Sequence, residues 1–360
     1  MSRRLRAPRR RAAPGRPAPD SAQRSALVDL AAELLGSDPP AGGPVAGGPV
    51  AGGPGADGQG ADGPVGGARA STALSAAADE RTRVLVDGFV HAHGPAPARF
   101  AWVALGSHAR GELHCASDQD HALIWADDRA AIGSYALELA GTVIDGLVEF
   151  GMRRCDGGYM ADRWSLSLAQ WVQGTRDRIE EPTPQAVLDL DVFLDLRPLA
   201  GDLDVTAVSQ VLATGAQSAR LMHGLATSAT SFPTPLVAFG RLPHGQIDLK
   251  RTGLAPLVLL ARLYGLQARS PAVSTSDRLA AAAEAGLLSA ELVARLRTGF
   301  EVLADLRLAG QVGQINDGLP ISDRVDGDTL TDEQRSALRE ALRAIKATQS
   351  VTAVTFRTGL

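Results

Sequence analysis

Lysine is almost missing from this sequence. Of 36 basic residues in a chain of 360, only Lys250 and Lys346 are lysines. Together with abundant Ala and Gly, this reads as a GC-rich coding bias. Most arginine identities therefore carry little information, and each lysine carries more. Aromatic residues make up 4% of the chain, and cysteine occurs twice, at Cys115 and Cys155, without a metal-type pair spacing. Two such cysteines exclude a disulfide framework and suit a reducing cytoplasm. No apolar run approaches the ~20 residues that cross a bilayer, so no membrane association is expected. The Arg-rich start lacks the apolar segment of an export signal, because "RAAPGRPAPDSAQR" follows it. Acid is missing from the first 16 residues, which hold seven arginines. The net charge of the whole chain is −4, so the remainder stands seven lower, at −11. An acidic body lacks the basic face that nucleic acid needs. It suits clefts that hold cations.

The apolar share of 45% is enough for a sizeable core, and the length is that of two domains or one with tails. Residues 1–70 read as a tail. Its Arg/Pro/Ala-rich start and its "AGGPVAGGPVAGGPG" repeat cannot pack and are expected to be disordered. Within it, "SALVDLAAELLG" (25–36) could form a short amphipathic helix, with Leu27, Leu30, Leu34 and Leu35 on one face. Deletion of the whole tail is expected to leave stability unchanged.

Residues 71–205 read as an α/β domain. "ALSAAADERTRVLVDGFVHAH" predicts a helix, "RFAWVALGS" a buried strand running into a turn, and "DQDHALIWA" a second strand. "SYALELAGTVIDGLVEF" predicts a helix stopped by Gly151. "RWSLSLAQWV" is read as helical, with Trp164, Leu168, Trp171 and Val172 on one face. "LDVFLDLRPLAGD" alternates, so it is read as a strand with Asp191, Phe193, Asp195 and Arg197 on its outward face. Residues 206–360 read as an all-helical domain. Its last helix starts at a capping box, Thr331 to Gln334.

The chemistry centres on "GSHARGELHCASDQDHALIW", residues 106–125. Side chains two apart on a strand point the same way, so Asp118 and Asp120 project together. Two like charges so close are unfavourable alone, but a divalent cation turns them into a clamp. Gly106 lets backbone approach a ligand closely. Ser107 adds a hydroxyl and an amide to a turn that can hold phosphate oxygens. A phosphate turn beside a carboxylate pair is what metal-assisted phosphoryl transfer needs. Asp195 is the candidate third carboxylate, with Asp191 as the fallback. Arg110 either binds phosphate or pairs with Glu112. Lys250, just ahead of a buried helix, is the cation that could reach a triphosphate from the helical domain. His108, His114, Cys115 and His121 match no common zinc spacing, and His121 should point away from Asp120. Cys155 reads as a small buried residue.

A hydrophobic-Gly-Ser turn followed about ten residues later by Asp-x-Asp resembles the polymerase-β-like nucleotidyltransferase superfamily. The longer string "GSHARGELHCASDQDHALI" is closer to the branch often fused to CBS and cyclic-nucleotide-binding domains, which is related to protein-PII uridylyltransferase. The similarity continues through "CDGGYMADRWSLSLAQW", "FLDLRPLAGD", "QIDLKRTGLAPLVLLAR" and "LADLRLAGQ", over residues 80 to 356. It implies a mixed-sheet core followed by a helical substrate-binding domain. It also implies Mg²⁺ on Asp118, Asp120 and Asp195, with NTP phosphates at Gly106 and Ser107. The acceptor hydroxyl it suggests lies on a regulatory protein of the PII kind. A small-molecule acceptor, as in antibiotic-modifying enzymes, shares the chemistry, and a non-catalytic nucleotide-sensing or protein-binding module is the competing class. No segment reads as a CBS, cyclic-nucleotide-binding, HD or ACT module, so regulation through those modules is not expected.

Overall fold

The computed structural model describes residues 26–36, 66–128, 132–236 and 240–358. Most of the Arg-rich and Gly/Pro-rich tail therefore lies outside the described residues. Its described parts are helix α1 (Ala26–Gly36) and residues 66–70. The remaining elements begin with α2 (Gly67–His93), β1 (Phe100–Ala104), the short α3 (Gly106–Arg110), β2 (Asp118–Gln119) and β3 (His121–Trp125). Then come α4 (Ile132–Phe150), β4 (Arg153–Arg154), β5 (Ser165–Ser167), α5 (Leu168–Glu180), α6 (Pro184–Phe193) and β6 (Arg197–Gly201).

The strands assemble in the order β5-β3-β1-β6. β1 pairs antiparallel with β3 and β6, and β3 runs parallel to β5, so the sheet is mixed as expected. "FAWVA" and "HALIW" are apolar without alternation because both faces of the sheet are covered. Ala101, Val103, Ala122 and Ile124 join the core shared with the helical half. Phe100, Trp102, Leu123 and Trp125 face the opposite way, into a core with α2 and α4. α4 ends at Gly151, whose φ of 117° suits glycine alone, as read from sequence.

Two readings are corrected. "RWSLSLAQWV" is half strand. Ser165–Ser167 extend β5, and Ser167 then caps α5 in a capping box with Gln170. Trp164 still meets Trp171 across this break, ring centroids 5.6 Å apart. The first half of "LDVFLDLR" is helix, because Thr183 caps α6 and Pro184 opens it. Its buried apolar residues Val187, Leu190 and Phe193 stand three apart, which fits a period of 3.6 and breaks a period of 2. Asp195 thus lies between α6 and β6, not on a strand face.

The second half comprises α7 (Thr206–Thr214), α8 (Ala219–Thr230), α9 (Ala255–Gln267), α10 (Thr275–Glu284), α11 (Ala290–Asn316) and α12 (Asp332–Phe356). β7 (Gln246–Asp248) and β8 (Arg324–Asp326) pair as a small antiparallel ribbon. A π-helical turn at Lys250–Leu254 leads into α9. The Thr331–Gln334 capping box is present with both arms. One apolar core runs from Val103 and Ile124 to Leu257, Leu303 and Ile345, so the two halves share packing at their base. No described helix is long and apolar enough to cross a membrane.

α1 docks against α2 and α11, burying Leu27, Val28 and Ala31. The start of α2 is fixed to α11 by Asp305, which accepts from Gly67 N (2.7 Å) and Ala68 N (3.2 Å). α1 therefore covers the outside of the seam between the two halves. This burial changes the expectation for the tail. Leu27→Asp should cost about 2–4 kcal/mol, from lost core packing and a buried charge. The melting temperature should then fall by roughly 2–4 °C per kcal/mol. Thermal unfolding of this variant decides the point, and an unchanged transition would show that α1 contributes nothing.

Candidate active site

The turn after β1 positions the first residues. Gly106 has φ +56°, and a Cβ on it would lie 2.4 Å from Asp120 Oδ2. Only glycine lets the carboxylate lie against the backbone here. No side chain caps the first turn of α3, which leaves the Gly106–Ser107 turn open to a ligand. Between the two acids, Gln119 points inward and donates to Ile144 O at 3.1 Å. The alternation of β2 thus sends Gln119 to the core and Asp118 and Asp120 to one cavity.

That cavity measures about 1000 Å³. One wall carries Gly106, Ser107, Arg110, Asp118, Asp120 and Asp191. The other comes from the helical half, with Lys250, Val258, Arg262, Phe300 and Arg307. Asp118 is partly exposed and meets Arg153 at 3.2 Å. Burial raises the Asp120 carboxyl, and the Asp118 charge raises it further. The Cys155 thiol, which hydrogen-bonds to Asp120, opposes this, as do Arg110 and Arg262. Burial and Asp120 push the Cys155 thiol up to about 11, so it is no ready nucleophile.

Asp195 does not join the pair. It is completely buried, and three guanidinium groups share its carboxylate. Arg110 Nη1 donates at 2.5 Å and Arg278 Nη1 at 2.5 Å, and Arg262 donates through Nε and Nη2. The arginines outweigh the cost of burial and hold this carboxyl far below the usual range. A carboxylate so occupied has no oxygen left for a metal. The expectation of Asp195 as a metal ligand and proton acceptor is therefore corrected: it is a positioning residue for Arg110 and Arg262, which line the cavity. Asp191 is the acid that reaches the cavity wall from this segment. Burial lifts it to about 6, against the pull of Arg262.

Arg110 pairs with Glu112 (Nε to Oε2, 2.6 Å), and it also lines the cavity. Arg197 instead grips Asp79 of α2 through Nη1 and Nη2, at 2.8 and 2.9 Å. His121 is buried in the core, where Nδ1 accepts from Ala161 N and Nε2 meets Gln119 Oε1. Both ring nitrogens are thus occupied, and burial pushes the ring down to about 3.

Arg262, Arg278 and Arg307 escaped the sequence reading. Arg262 did leave a signal, being a charge inside the otherwise apolar "APLVLLARLYGL", which demands a buried partner. Among the described residues no three His, Cys, Asp or Glu side chains form a metal-ligand group. Two carboxylates remain. Mg²⁺ commonly takes one or two and completes its shell with water and substrate phosphates. A cation would also relieve the charge that raises Asp120, so the donors present fit that ion.

Residues 63–185 match the family model described as "Putative nucleotidyltransferase DUF294". Residues 219–356 match the one described as "Putative nucleotidyltransferase substrate binding domain". A search of curated proteins returns no match.

Proposed function

The chain belongs to the nucleotidyltransferase family just described, and from that premise we propose that it moves a nucleoside monophosphate from an NTP to an acceptor hydroxyl. One observation supports this above others. The Gly106–Ser107 turn, the Asp118/Asp120 pair and the Arg110/Arg262 pair open into a single cavity. Phosphoryl transfer depends mostly on positioning and charge stabilisation, and these residues supply both. The guanidinium groups receive phosphate oxygens, and Asp195 keeps them in place. Asp118 and Asp120 would hold Mg²⁺, which when bound offsets triphosphate charge. The acceptor oxygen bonds to the α-phosphorus. The bond from that phosphorus to the bridging oxygen breaks, and pyrophosphate leaves with the electron pair. The hydroxyl proton passes to Asp191, whose raised pKa suits a base near neutral pH.

Asp191 also makes a pH prediction. Its folded pKa of about 6 lies above the ordinary carboxyl value. Its ionisation therefore costs stability as pH rises through the interval between the two values, and the cost is complete above about pH 6. Asp191→Asn should raise the melting temperature at pH 8, by up to roughly 2–3 kcal/mol of stability. It should change nothing at pH 4, where both side chains are neutral. Transfer should fall roughly 10²–10⁴-fold, the contribution of a general base. Melting curves at the two pH values check the first part, and an equal shift at both would refute it.

The reaction itself is tested by incubating purified protein with each labelled NTP, Mg²⁺ and cell lysate. Label on a protein band identifies a protein acceptor, and label on a small molecule identifies the other kind. Nucleotide binding with no labelled product under any NTP would overturn the enzymatic reading in favour of a nucleotide sensor.

A further inference from the structure

The cavity has a second cationic corner, distinct from the Arg110/Arg262 side. Arg307 lines it, a buried guanidinium on α11. Asp323 Oδ1 lies 2.7 Å from both Nε and Nη2 of Arg307 but accepts a hydrogen bond from Nε alone. Nη2 has no hydrogen-bond partner among the described residues. Asp323 O accepts from Leu249 N at 2.9 Å, which sets Lys250 beside this network. Lys250 is exposed, lines the same cavity, and makes no ion pair among the described residues. Gln311 ties the corner to the catalytic half. It donates to Asp323 Oδ1 at 3.0 Å and lies 3.1 Å from His114 Nδ1. His114 is neutral, held well below its ordinary value by burial and then by the charges of Arg307 and Lys250.

The two carboxylates have different cationic neighbours. Asp120 abuts Gly106 and feels Arg110 and Arg262. Asp118 instead meets Arg153, whose charge reaches His114 and Arg307. In an in-line displacement the attacking and leaving oxygens lie on opposite sides of the phosphorus. If the triphosphate occupies the Gly106–Arg262 side, the opposite corner meets the incoming molecule. We propose that Lys250 and Arg307 form an oxyanion subsite for the acceptor, which therefore carries a phosphate or carboxylate group besides its reacting hydroxyl. This rests on the nucleotidyl-transfer reading and moves Lys250 from the triphosphate to the acceptor.

The test uses the full chain saturated with a non-hydrolysable α,β-methylene NTP and Mg²⁺. Inorganic phosphate and acetate are then titrated separately, with binding followed by calorimetry or NMR. At least one should bind without displacing the analogue, and which one binds separates a phosphate-bearing acceptor from a carboxylate-bearing one. Lys250→Ala, at an exposed site that carries no core packing, should weaken that anion about tenfold, as expected for one lost charged contact. It should alter analogue affinity less than twofold, and Arg307→Lys should do the same. Displacement of the analogue by the anion, binding of neither probe, or an equal loss of analogue affinity in Lys250→Ala would each overturn the proposal. Failure of the analogue itself to bind is a separate result, and it overturns the nucleotide reading instead.

Discussion

Asp118→Asn and Asp120→Asn are each expected to lower transfer by about a thousandfold, the upper end of what one lost electrostatic contact costs at a reacting phosphate. The fold should survive both. Asp118 is partly exposed, and its contact is a half-exposed Arg153, a pairing of small worth. Asp120 is already held above the ordinary carboxyl range by burial and by Asp118. Its charge therefore costs stability at neutral pH, and an amide removes that cost. Asparagine also keeps an oxygen that can accept from the Cys155 thiol. Paired measurements of label transfer and thermal unfolding check this. Full turnover in both variants would end the nucleotidyl-transfer reading, and loss of folding in Asp120→Asn would show that the carboxylate has a structural partner.

The carboxylate pair was legible because its signal is local. Alternation along β2 and β3 fixes which side chains share a face, and "FAWVA" beside "HALIW" announces a sheet covered on both sides. The mostly helical second half was legible for the same reason, through the apolar period of α12, but the β7–β8 ribbon corrects the all-helical expectation, its strands being only three residues each. The fate of Asp195 was not. Its partners lie at positions 110, 262 and 278, and no periodicity says which arginine meets which acid across a tertiary interface. A composition that makes nearly every cation an arginine removes even the hint of residue choice. The α6 misreading is different in kind. Thr183–Pro184 was a visible helix start, and a short stretch of two-residue alternation outweighed it wrongly. The docking of α1 left only its amphipathic face as a clue, because a Gly/Pro-rich connection does not reveal where its far end packs.

Asp195→Asn should be the most destabilising single-atom-scale change in the molecule, at roughly 3–5 kcal/mol, the usual cost of removing one partner from a buried ion cluster. Asparagine fits the space, so the loss isolates charge from packing. The three arginines fare unequally. Arg110 retains Glu112 at 2.6 Å, and Arg262 retains Asp191 at 3.8 Å. Arg278 keeps only the carbonyls of Leu194 and Ala272, and burial already depresses its basicity. Arg278→Met added to Asp195→Asn should therefore restore part of the lost stability, since it removes the charge left stranded. The pH dependence has a defined sign. The folded Asp195 pKa lies far below the unfolded value. Its contribution is thus complete above the ordinary carboxyl pKa of about 3.9. It shrinks below that and vanishes only when pH falls past the folded value. The stability gap between wild type and Asp195→Asn should accordingly be flat from about pH 7 to 8, where Asp191 is ionised in both, and narrow below about pH 4. Where the variant stays folded, released Arg110 and Arg262 should raise KM for the NTP more than they lower kcat, as expected of residues that bind phosphate rather than move protons. Wild-type melting across pH 5 to 8, together with an unaltered KM, would show that the three guanidinium groups hold their places without this carboxylate.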